Sequence, residues 1–125
     1  MNTLEQVFAS KIHSQVKAYG DDHPKDSPQR NKYGAIAQKL PILVRTAGLT
    51  QALAFVDSRG QEPDRILLEH LAQIVVANDL NTFLEQSRNC ELQEYSYLTR
   101  KTLLALKWYK RFAQSILEVE STDAQ

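Results

Sequence analysis

The sequence predicts an all-α fold, a compact bundle of about five to six helices with a long C-terminal helix. Three observations carry that reading. Apolar residues recur at helical spacing, most plainly at Leu4, Phe8, Ile12 and Val16, which fall four apart on one face. Only four glycines and four prolines interrupt 125 residues, and β-branched residues are scattered among Leu, Ala, Gln and Glu, a balance that favours helix over strand. The length suits a single domain, 1–125, which can bury a core without disulfides or metal.

The first helix is capped by Asn2 or Thr3, and Gly20 ends its apolar pattern. The stretch DDHPKDSPQ, with two prolines among polar turn formers, reads as a mobile loop over about residues 20–29. A second helix starts near Ser27 with Pro28 at its first position, where a missing N–H costs nothing. Tyr33, Ile36, Ala37, Leu40, Val44 and Ala47 line one side, and Pro41 is expected to kink or divide the helix.

Gly48 suits the end of that helix, and a short helix with Leu49, Leu53 and Phe55 follows up to Gly60. A fourth helix opens between Gln61 and Asp64 and runs to Asn78-Asp79. Leu80 to Glu85 adds a turn or two, and Ser87 to Cys90 reads as a loop. The last helix, from about Glu91 to Val119, would measure roughly 40 Å. The tail from about residue 120 to 125 is expected to fray.

On a helical wheel of that last segment, Leu92, Tyr95, Thr99, Leu103 and Leu106 share one face. Leu104, Trp108 and Phe112 form a second apolar stripe, and Arg100, Lys107 and Arg111 lie between the two. Such a helix is either central to the domain or meets another subunit through its second stripe.

Cys90 is the only cysteine, so no internal disulfide is possible and a reducing, cytoplasmic setting is expected. The N-terminal residues have no basic region followed by an apolar block, and no apolar run approaches the ~20 residues that span a bilayer. No membrane association is expected.

Net charge is zero, but the charges are segregated. Residues 58–98 carry three Lys or Arg against seven acids, whereas residues 99–113 carry five bases and no acid. Two stretches are free of acids. Ser27 to Val56 holds Arg30, Lys32, Lys39 and Arg45, and Tyr95 to Leu117 holds Arg100, Lys101, Lys107, Lys110 and Arg111. Cations on helices usually form a solvated face. Acids within a Debye length, about 10 Å at moderate salt, would cancel their field, so the missing acids favour a polyanion contact. Tyr109 to Phe112 (YKRF) mixes aromatics with bases, which suits base stacking or core packing.

Catalytic chemistry finds little support. His13 and His70 border apolar faces as packed histidines do, and Cys90 has Arg88 as its one basic neighbour. Asp21-Asp22-His23 has metal-ligand residue types but no further ligand nearby in sequence. The glycines are dispersed, with no phosphate-cradling loop. Neither a cofactor nor a small-molecule substrate is expected.

The segment RNKYGAIAQKLPILVRTAGLTQALAFVDSRG, joined to TRKTLLALKWYKRFAQ, resembles the small subunit of type III-B (Cmr) CRISPR effector complexes. The matching residues are Arg30, Tyr33-Gly34, Lys39-Leu40-Pro41, Arg45, Gly48-Leu49, Gln51 to Phe55, Thr99-Arg100 and Trp108 to Ala113. The chain departs from the pattern at Lys101 and Thr102, where the family has Glu-Ala, and at Tyr109, where Leu is usual.

The resemblance implies a non-catalytic helical subunit present in several copies, stacked as an inner filament beside the backbone and large subunits. It would support the guide–target RNA duplex. By position it makes Arg30, Lys39, Arg45, Arg100, Lys107, Lys110 and Arg111 candidates for phosphate contact. Lys32, which shares a side of the second helix with Lys39, joins them. Leu104, Trp108 and Phe112 become candidates for subunit packing. A helical adaptor that binds only protein is the competing reading, and a helix-turn-helix DNA binder is disfavoured because the helix after Gly48 opens without bases.

Overall fold

The computed structural model describes residues 2–120, and within them the chain forms six helices and no strand. They are α1 (Leu4–Asp22), α2 (Pro28–Ala47), α3 (Leu49–Arg59), α4 (Glu62–Val75), α5 (Leu80–Asn89) and α6 (Leu92–Ser115). The expected fraying from residue 121 onward lies outside the described residues.

A capping box starts α1. The Thr3 hydroxyl accepts from the Gln6 N–H at 3.1 Å, and the Gln6 side chain accepts from the Thr3 N–H at 2.8 Å. Phe8, Ile12, Val16 and Tyr19 are buried, as their spacing requires. The helix continues past Gly20 to Asp22, and Pro24 sets its end, because the residue before a proline is driven to extended backbone. Gly20 serves packing instead: a Cβ there would lie 3.0 Å from the Leu117 side chain.

The connection to α2 is therefore only His23–Ser27, shorter than the sequence suggests. It is tied down by the Ser27 N–H to the Pro24 carbonyl at 3.0 Å and by the His23 ring stacked on Tyr19 at 4.0 Å.

Ser27 caps α2 and Pro28 occupies its first turn. Of the two outcomes expected at Pro41, division into two helices does not occur, and α2 runs as one helix to Ala47. It packs against α3, α4 and α6, with Tyr33, Ala37, Leu40 and Pro41 all buried. Tertiary contact on several sides holds the helix through the proline despite its missing N–H. Gly48 ends α2 with φ 88°, a backbone state that disfavours side chains, and its N–H reaches the Val44 carbonyl at 3.0 Å. The chain turns directly there into α3.

α5 is longer than expected. Asp79 caps it through the Thr82 N–H at 2.8 Å, Leu80 and Phe83 are buried, and the helix absorbs Ser87 to Asn89 from the anticipated loop.

α6 spans 24 residues and packs against α1, α2 and α4, so α2 and α6 form the central pair. Its buried stripe is Leu98, Thr102, Ala105, Leu106, Tyr109 and Ala113, not the face centred on Leu92 and Thr99. Leu92 is 79% exposed. The helix stops at Ser115, short of the expected Val119, and Glu118 at φ 58° turns the chain so that the Val119 N–H returns to the Ala113 carbonyl at 3.0 Å. The strap Ile116–Val119 then lies on α2. Val119 sits where a side chain at Gly34 would be, within 2.6 to 2.8 Å of its ideal Cβ, and Gln38 donates to the Val119 carbonyl at 2.8 Å.

Candidate nucleic-acid interface

Packing of α2 along α6 brings the two acid-free stretches together. Arg45, in the last turn of α2, joins Lys107, Lys110 and Arg111 of α6 around a groove of about 250 Å³ that Pro41 and Gln114 complete. No carboxylate lines it. The four cations are exposed. Among the described residues only Lys107 has an acidic partner, Glu5, whose pKa falls because of the Lys107 hydrogen bond and charge. That pair is half-exposed, so screening leaves it weak enough to exchange for another anion.

The other candidates divide differently. Arg100 is exposed, lies about two turns before Lys107 on α6, and does not line the groove. Lys101 is bound locally, donating to the Val75 carbonyl at 3.1 Å with its ammonium 4.6 Å from the Tyr97 ring centre.

Arg30 is a correction to the surface reading. Its guanidinium donates to the carbonyls of Leu117, Gly20, His23 and Ile116 at 3.0 to 3.2 Å. It clamps the end of α1 to the strap after α6, and nearly all its donors are committed there.

The second apolar stripe of α6 is also used inside the chain. Leu104, Trp108 and Phe112 are half-buried against the core. His13 of α1 meets the Phe112 ring edge-on at 5.2 Å, and Trp108 Nε1 donates to Glu5 at 3.2 Å. Tyr109 is fully buried with its hydroxyl on Gln15, so it offers no ring for base stacking.

Lys32 and Lys39 line a separate cleft of about 160 Å³ with Ala35, Ile36, Arg59, Gln61 and Asp64. The α3–α4 corner at Gly60, left-handed at φ 67°, delivers the last three. Sequence reasoning missed Arg59 and Asp64, since nothing local relates them to α2. The Asp64 side chain is 6% exposed and its carboxylate lies 4.0 Å from Arg59 Nε. Burial raises the Asp64 pKa, opposed by the charges of Arg59, Lys32 and Lys39.

The histidines have structural partners. Tyr33 Oη and His70 Nδ1 are 2.7 Å apart, and burial lowers the His70 pKa. Burial also drives the Tyr33 and Tyr109 hydroxyls well above the usual phenol range, and that of Tyr19 up to about 12. His23 Nδ1 lies 2.9 Å from the Tyr19 carbonyl. Among the described residues no group of three or more His, Cys, Asp and Glu could hold a metal ion, and no helix is long and apolar enough to cross a membrane.

Residues 4–116 match the family described as CRISPR-associated protein (Cas_Cmr5). The chain is 46% identical over 120 residues to the CRISPR system Cmr subunit Cmr5 of Thermus thermophilus, covering 94% of this chain and 99% of that protein. The fold matches the crystal structure of a CRISPR-associated Cmr5 family protein from the same organism, with a TM-score of 0.84 at 44% identity over 94% of this chain and 99% of that one. Sequence and fold agree along almost the whole length, and the chain belongs to the Cmr5 family of CRISPR-associated proteins.

Proposed function

We propose that this protein is a non-catalytic small subunit of a type III-B (Cmr) CRISPR effector complex. Copies of it stack as an inner filament beside the backbone and large subunits in the cytoplasm, and hold the guide–target RNA duplex. The observation that carries the RNA contact is the α2/α6 groove, where Arg45, Lys107, Lys110 and Arg111 converge with no carboxylate in the lining. Such a surface contacts phosphates and positions a strand without reading its sequence. The engagement of His13, His23 and His70 with aromatic or backbone partners of this chain supports the absence of catalysis. Arg30 drops out of the phosphate set, and Arg100 extends the basic strip along α6.

The test is a reconstituted complex carrying Arg45→Ala, Lys107→Ala, Lys110→Ala and Arg111→Ala in this subunit. The expected result is normal assembly with weaker binding of target RNA. Normal assembly with unchanged RNA affinity would instead make the protein a helical adaptor.

A further inference from the structure

The cleft between α2 and the α3–α4 corner plays no part in the groove just described, and its chemistry is more selective. Asp64 has a largely buried side chain in the cleft lining, and Arg59 is its ion-pair partner, at the long distance of 4.0 Å. Arg59 Nε, at 4.0 Å, is too far for a hydrogen bond. An ionised carboxylate only accepts, and its oxygens are not sealed from water, so a ligand that displaces that water replaces it best with a donor. Lys32, Lys39 and Arg59 surround the same space, three positive charges against one negative, so the ligand must also be anionic.

A bare anion meets the Asp64 charge, and a neutral donor leaves the three cations unused. A ribose–phosphate unit supplies both groups, a 2′-hydroxyl that donates and a phosphodiester that accepts. In an A-form duplex the 2′-hydroxyls lie exposed on a wide, shallow groove that side chains reach. The cleft, about 160 Å³, suits a small polar unit rather than a base pair.

We propose that Lys32, Lys39, Arg59 and Asp64 form a ribose-specific RNA subsite, with Asp64 accepting the 2′-hydroxyl and the three cations holding flanking phosphates. This rests on the reading that the subunit lies against the guide–target RNA.

The experiment compares the affinity of reconstituted complex for an all-ribose target strand and for the same strand with 2′-deoxy sugars. Wild type is compared with Asp64→Leu, similar in size but without an acceptor, and with Asp64→Asn, which keeps one carbonyl oxygen. The ribose-to-deoxyribose affinity ratio should fall about tenfold in Asp64→Leu, as loss of a charge-assisted hydrogen bond implies, and less in Asp64→Asn. Because the ratio is taken within each variant, a general loss of stability cancels.

Lys32→Ala, Lys39→Ala and Arg59→Ala together should weaken both strands and lower the salt dependence. An Asp64→Leu ratio equal to wild type overturns the proposal. So does a triple variant that assembles poorly while its assembled fraction binds RNA normally, which assigns the cleft to an acidic protein partner. Failure of the α2/α6 groove shows separately, as unchanged RNA binding in the Arg45, Lys107, Lys110 and Arg111 variants.

Discussion

Arg30 and Arg45 stand in the same acid-free stretch, but their side chains do opposite things. Arg45 faces the groove, while Arg30 is spent on four carbonyls, two of them 86 and 87 positions later in the chain. Residue type and local charge were legible in the sequence, but the partners were not, because a carbonyl leaves no sequence mark. Arg30→Ala should cost roughly 3 kcal/mol by stranding part-buried carbonyls, seen as a lower urea midpoint. Arg30→Lys should recover little of it, since an ammonium cannot span the four acceptors. Neither change should alter the salt dependence of RNA binding. His70 sets a second test. Burial favours its neutral form when folded, so the unfolded chain takes up the extra proton first as pH falls. The stability tied to neutral His70 is fully present above about pH 6.5 and is lost as pH drops through the lowered folded value. Thermal midpoints should therefore fall from pH 7 to pH 5, and His70→Gln should flatten that slope. The carboxylates with lowered pKa, Glu5, Asp79 and Glu118, act below that window.

Helix starts were the most legible elements, because Thr3 and Ser27-Pro28 carry their capping chemistry locally, whereas Asp79 was read as a break and proves to cap α5. Helix interiors were less so. Pro41 argued for a kink or a division, and packing on three neighbouring helices keeps α2 one helix through it. On α6 the conspicuous residues misled: Trp108, Phe112 and Leu104 flank the core, while its deepest contacts come from Thr102, Ala105 and Tyr109, which a hydrophobicity pattern discounts. Thr102 fits there because its hydroxyl donates to the Leu98 carbonyl at 2.7 Å. The strap after α6 was invisible, since only the fold sets Val119 against Gly34. Gly34→Ala should lower stability by about 1–3 kcal/mol, because its Cβ would displace Val119. Equilibrium denaturation checks this. A joint change to Gly34→Ala and Val119→Ala should recover part of the loss, since the smaller side chain makes room.

At the scale of the whole molecule, a neutral chain separates its charge. Acids concentrate between residues 58 and 98, while α2 and α6, far apart in sequence, combine their cations in one groove. The acid-free stretches and the family resemblance were readable from the residues, whereas the convergence of Arg45 with Lys107, Lys110 and Arg111 required the packing of two helices. Packing of α2 beside the α3–α4 corner sets Lys32 and Lys39 with Arg59 and Asp64, so the basic residues divide between two sites. Phosphate contacts at the groove should appear as counterion release, and the most direct measurement is target-RNA affinity of the assembled complex over a series of salt concentrations. Each lost contact should reduce the slope of log affinity against log salt by roughly 0.7 to 0.9. Arg45→Ala, Lys110→Ala and Arg111→Ala combined should therefore flatten it by roughly 2 to 3 per subunit that contacts the strand. A slope unchanged from wild type, in complexes that assemble normally, would contradict an RNA-facing groove.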